Sequence, residues 1–168
     1  MRILGIDPGY AIVGWGVVDF SGGRFNVVGY GAVTTHAGVD FPKRLEDIYC
    51  DLNELIDKYK PDCLAIERLY FNTNTTTAID VAQARGVIVL AAQRKGLSIN
   101  EYTPLQVKQS VTGYGRAEKR QVMEMVKSLL NLKAIPKPDD TADALALAVC
   151  HGHYSASSFL RIYMEAKK

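Results

Sequence analysis

Apolar and β-branched residues dominate three runs near the N-terminus: 2–7 (RILGID), 11–20 (AIVGWGVVDF) and 24–34 (RFNVVGYGAVT). Asp7-Pro8-Gly9 stops the first run and Ser21-Gly22-Gly23 the second, so an antiparallel meander of three strands is expected. The period then changes. Phe41, Leu45, Ile48, Tyr49, Leu52, Leu55, Ile56 and Tyr59 follow the i, i+3, i+4, i+7 rule, which predicts an amphipathic helix over 41–59. Asp40 is its expected N-cap, and Pro42 suits its first turn. CLAIE (63–67) reads as a short buried strand, 73–95 as a helix ending before Gly96, and LSINEY (97–102) as a fifth strand. Helices are expected at about 104–112, 116–131 and 139–153.

The order β-β-β-α-β-α-β, then helices, defines an α/β chain. Its simplest solution is a mixed five-stranded sheet, three antiparallel strands and then parallel ones, flanked by helices on both faces. In such sheets, sites form at the C-terminal ends of the parallel strands. The 168 residues suit one domain, expected over 1–155, with a C-terminal tail over 156–168. No signal-peptide core, membrane-length apolar run, repeat or linker interrupts it, so a cytoplasmic protein off the membrane is expected. Cys50, Cys63 and Cys150 are scattered and odd in number, which suggests free, mostly buried thiols in a reducing compartment.

Acidic residues fall where that architecture puts chemistry. Asp7 closes the first strand, Glu67 closes the fourth, and Asp140 and Asp143 open the last helix in KPDDTADALALA (137–148). Each also has a plainer use: Asp7 in a turn, Glu67 in a surface pair with Arg68, Asp139 or Asp140 as a helix cap, and Asp143 against the helix dipole. A cap needs only one carboxylate, however, and three crowd this helix start. Asp140 and Asp143 are three apart and reach the same space. Four carboxylates from three segments repel unless cations neutralise them, and hard divalent ions with oxygen ligands do so. Two Mg²⁺ ions balance four carboxylates, and such a pair suits phosphodiester hydrolysis. His151 lies eleven residues beyond Asp140, ~16 Å along a helix axis, too far to share that site.

GIDPG (5–9), AIE (65–67), AQARGV (82–87), QVKQSVTGYGRAEKRQV (106–122) and DDTADALALA (139–148), in this order, resemble the RuvC family of Holliday-junction resolvases. The resemblance covers nearly the whole chain. It implies a ribonuclease-H-like fold and a homodimer that cuts two opposed strands of four-way junction DNA with Mg²⁺, for which Mn²⁺ can substitute. It implies metal-binding catalytic acids at Asp7, Glu67, Asp140 and Asp143, and the RuvA–RuvB branch-migration complex as a partner. Lys108 and Lys119 match basic residues near the scissile phosphate. Tyr70, in LYFNTNTTT (69–77), matches an aromatic that stacks on a base at the junction.

Charge placement agrees with a DNA face. Residues 103–137 hold seven cations against two acids, a net +5, which leaves −3 for the rest of a chain whose total is +2. Within GYGRAEKR (113–120), Arg116, Lys119 and Arg120 are the DNA-binding candidates, and glycines allow a close backbone approach. Lys127 and Lys133 read as solvated helix cations. Two rivals stay open: an RNA-processing nuclease of related fold, and an actin-like ATP-binding module suggested by GIDPGYAIVGWGV (5–17). The latter needs a second lobe for which this length leaves no room.

Overall fold

The computed structural model describes residues 1–69 and 77–165. Three strands, β1 (Arg2–Asp7), β2 (Ile12–Ser21) and β3 (Arg24–Thr34), form the meander. Helix α1 (Phe41–Tyr59), strand β4 (Cys63–Glu67), helix α2 (Ala78–Arg94) and strand β5 (Ser98–Tyr102) follow. Helices α3 (Pro104–Thr112), α4 (Lys119–Leu129) and α5 (Asp139–Glu165) complete the chain. The sheet has five strands in the order β3-β2-β1-β4-β5. β1 pairs antiparallel with β2 and parallel with β4, and β4 pairs parallel with β5. This is the mixed sheet expected.

The central strands have two buried faces, and their period of two sorts side chains between them. Leu4, Ile6, Leu64 and Ile66 face one core, built with Ile48 and Leu52 of α1 and Ile88 of α2. Ile3, Cys63 and Ala65 face the other, built with α3, α4 and α5. Helix α5 lies close to the sheet on this second face because β1 and β2 place glycine beneath it. A Cβ on Gly5 would stand 2.0 Å from the Ala144 carbonyl oxygen, and one on Gly14 2.0 Å from that of Asp140. Thr141, buried at the start of α5, donates its hydroxyl to the Gly31 carbonyl at 3.1 Å and ties the helix to β3.

Several boundaries differ from expectation, each for a local reason. Helix α4 starts at Lys119, not 116, because Glu118 and Gln121 form a capping box there. Helix α2 is described from Ala78; the expected start at 73 lies outside the described residues. Helix α5 does not stop at 153 but runs 27 residues to Glu165, so most of the expected tail is helical. The segment SASSFLRIYME (155–165) holds neither glycine nor proline to end it. Asp40 is at the N-cap of α1 but makes no side-chain capping bond. Cys63 and Cys150 are buried and Cys50 exposed, all free. Among the described residues no helix is long and apolar enough to cross a membrane.

The glycine floor gives a direct test. Gly5→Ala should destabilise the protein by about 3 kcal/mol or prevent folding, because the obstruction is helix backbone. Gly86→Ala, in α2 with open space around it, should be neutral or stabilising by about 0.5–1 kcal/mol. Urea unfolding of the two variants beside the parent checks the contrast.

Candidate active site

The alternation that sorts the core also places the acids. Asp7 and Glu67 are the last residues of adjacent parallel strands, whose register runs Ile3↔Cys63 to Ile6↔Ile66. Asp7 continues the face of Ile3 and Gly5, and Glu67 that of Cys63 and Ala65, so both turn toward α5. Gly14, the β2 partner of Asp7, lies directly under the Asp140 backbone. The first turn of α5 thereby brings Asp140 and Asp143 over the C-terminal ends of β1 and β4.

The electrostatics record this convergence. Burial pushes the Asp7 carboxyl up to about 7, helped by the negative charges of Asp143, Glu67 and Asp140. Burial and then Asp143 raise Glu67. Asp143 is raised by burial, against the pull of Lys119. Lys119, the first residue of α4, sends its Nζ to 2.9 Å from Asp143 and 3.9 Å from Asp139. Burial would lower the Lys119 ammonium, but the bond to Asp143 and the charges of Asp143, Asp139 and Asp7 keep it raised. Beside this group lies a cavity of about 240 Å³, lined by Glu67, Asp143, Lys108 and Lys119 over an apolar floor that includes Val107 and Val122. Helix α3 holds Lys108 there, fixed at its start by a Thr103–Gln106 capping box.

Among the described residues no three Asp, Glu, His or Cys side chains stand preassembled as a metal site. Lys119 instead serves as the counter-ion. The donor set nevertheless fits a hard divalent cation: carboxylate oxygens that raise one another's proton affinity are relieved by positive charge between them. Asp139 turns outward to Lys137, at 2.6 Å, and Asp143 pairs with Lys119.

Six of the expected residues thus gather: Asp7, Glu67, Asp140, Asp143, Lys108 and Lys119. Arg116 and Arg120 stay exposed on the surface, and Tyr70 lies outside the described residues. His151 is a structural residue, its Nδ1 2.7 Å from the Tyr102 hydroxyl. Arg85 bonds the Glu67 carbonyl and pairs with Glu101; in the sequence only the run AQARGV (82–87) marks it.

This sheet order, with acids at the ends of β1 and β4 and at the start of the last helix, defines a ribonuclease-H-like nuclease domain. The profile of the family described as "Crossover junction endodeoxyribonuclease RuvC" matches residues 3–151. The RuvC of Alkaliphilus metalliredigens is 61% identical over 153 residues, covering 91% of this chain and 93% of its own. The structure of Thermus thermophilus RuvC superposes with a TM-score of 0.87 at 33% identity, covering 94% of this chain and 97% of its own. T. thermophilus RuvC in complex with a Holliday junction substrate gives 0.85 at 31% identity, over 94% and 96%. The chain belongs to the RuvC family. That assignment favours neither rival reading.

The raised Asp7 carboxyl has a pH signature. In metal-free protein its protonated form is favoured by folding, so the stability it contributes is intact below pH ~4 and lost as pH rises through about 7. Asp7→Asn should therefore be more stable than the parent at pH 8, by on the order of 2–4 kcal/mol, and nearly equal at pH 4. Lys119→Met should deepen the parent's loss, and Mg²⁺ should reverse it. Denaturant unfolding at the two pH values, with and without Mg²⁺, checks all three.

Proposed function

We propose that this chain resolves four-way DNA junctions by two symmetric, metal-dependent nicks in recombination and DNA repair. The observation that carries this is the gathering of Asp7, Glu67, Asp140 and Asp143 beside Lys108 and Lys119 in a RuvC-family fold. The T. thermophilus relative, solved with a Holliday junction substrate, supports the choice of DNA.

In this reading Asp7, Glu67, Asp140 and Asp143 would hold two Mg²⁺ ions, for which Mn²⁺ could substitute. When bound, the metal supplies water activation and neutralises charge at the leaving oxygen. The chain's own groups do the rest. Asp143 would be one of the residues holding the metal, and Lys119, 2.9 Å from it, would then have its ammonium available to the phosphate. Lys119 and Lys108 then flank the reacting phosphate and stabilise its added negative charge. The apolar cavity floor excludes water behind them and strengthens each charge interaction. A water oxygen bonds to phosphorus and gives up a proton to solvent, the bond to the 3′-oxygen breaks and that oxygen takes up a proton, and the products are a 5′-phosphate and a 3′-hydroxyl. Exposed Arg116 and Arg120 contact the flanking phosphates and position the duplex, and Tyr70 stacks on a junction base. A homodimer supplies two sites related by a twofold axis, one per opposed strand. The protein works in the cytoplasm with the RuvA–RuvB branch-migration complex.

A synthetic four-way junction, labelled on each strand in turn, is the test, beside a linear duplex and a structured RNA. Paired nicks confined to the junction are expected. They should vanish with EDTA and fall at least about 100-fold with Asp140→Asn, since changes even in the outer shell of metal sites reach that size. Junctions left whole by the parent, or cut as fast by Asp140→Asn, would overturn the assignment.

A further inference from the structure

We infer that Arg85 is a positioning residue that holds the end of β4, and with it Glu67, in the geometry metal ligation requires. This role rests on the metal-dependent reading above.

Arg85 comes from α2, whose Ala84, Ile88, Ala91 and Ala92 are fully buried, so its Cα is held by a rigid element. Its side chain is only 17% exposed. Nε donates to the main-chain carbonyl of Glu67 at 3.1 Å, and Nη2 is bonded and ion-paired to Glu101 on β5. One guanidinium thus spans the ends of two parallel strands.

The location matters because Glu67 is the last residue of its strand. Inside a ladder, neighbouring strands hold a residue's carbonyl; at a strand end that restraint runs out. Here two bonds replace it. The Arg68 amide donates to the Tyr102 carbonyl at 2.8 Å, and Arg85 takes the Glu67 carbonyl itself. Burial, Asp143 and Lys119 set the proton affinity of the Glu67 carboxylate. Arg85 bonds the peptide instead, so it acts on where the carboxylate points. A planar fork reaches two acceptors in fixed directions at once, whereas an ammonium is a single point charge. Glu101, at 43% exposure, gives the guanidinium the partner it needs at a half-buried place.

The discriminating experiment is a calorimetric Mn²⁺ titration of the full chain, with thermal unfolding and metal-free junction binding measured alongside. The variants are Arg85→Ala, Arg85→Lys and Glu101→Gln. Groups that orient metal ligands are worth about 10–100-fold in metal affinity. Arg85→Ala should therefore bind Mn²⁺ at least about tenfold more weakly while still folded and still binding the junction without metal. Arg85→Lys keeps the charge but not the fork, and should recover little of this loss. Glu101→Gln keeps the Arg85–Glu67 bond, and should stay within about threefold of the parent. Should Arg85→Ala unfold, folded Arg85→Lys decides alone. Parent-like Mn²⁺ affinity in folded Arg85 variants would overturn the inference. So would a loss in Glu101→Gln equal to that in Arg85→Ala, because the ion pair would then carry the effect. A parent that binds no Mn²⁺ and cuts no junction would instead take down the functional reading on which this role rests.

Discussion

Everything at this site depends on how closely α5 lies against β1 and β2. Gly5 and Gly14 leave no room for a methyl group under the helix backbone. Glycine costs conformational entropy in a strand interior, and here the return is a helix whose first turn projects over two strand ends. Were α5 lifted by a side chain, Asp140 and Asp143 would leave the space that Asp7 and Glu67 share. Packing on one face of the sheet and chemistry at its edge are thus a single constraint.

The same closeness creates an electrostatic problem that Lys119 offsets in part. Bringing partly buried carboxylates together raises their proton affinity and opposes folding at neutral pH. An ammonium 2.9 Å from Asp143 offsets part of that. A divalent ion would offset more, and the ammonium would then be available to phosphate. Repulsion among the carboxylates and their fit to a divalent cation come from one charge arrangement. The surrounding scaffold, with capped α3 and α4 and the bonded end of β4, keeps those charges from relaxing apart.

Much of the fold was legible because its signals are local. The meander turns at Asp7-Pro8-Gly9 and Ser21-Gly22-Gly23, the amphipathic period of α1 and the short apolar run of β4 all predicted their elements. The ends of α4 and α5 were less legible. In one, a capping box competes with a run of plausible helix formers; in the other, no breaker marks the end. The four acids were found because each sits at the end of an apolar element, where an unpaired charge needs a reason. Arg85 carried no such mark: an arginine in a helix reads as a surface cation until its partners are known.

By itself the sequence determined the elements, their order and the presence of four acids at element ends, since propensity, period and turn chemistry act over a few residues. Only the tertiary structure decided that Asp7 and Glu67 turn to the same face, that α5 rests directly on glycine, and that Lys119 and Arg85 reach the acids and the strand that bears one of them. Those outcomes depend on strand register and helix placement. They are set by packing between residues as far apart as Gly5 and Ala144, and no short stretch of chain encodes them.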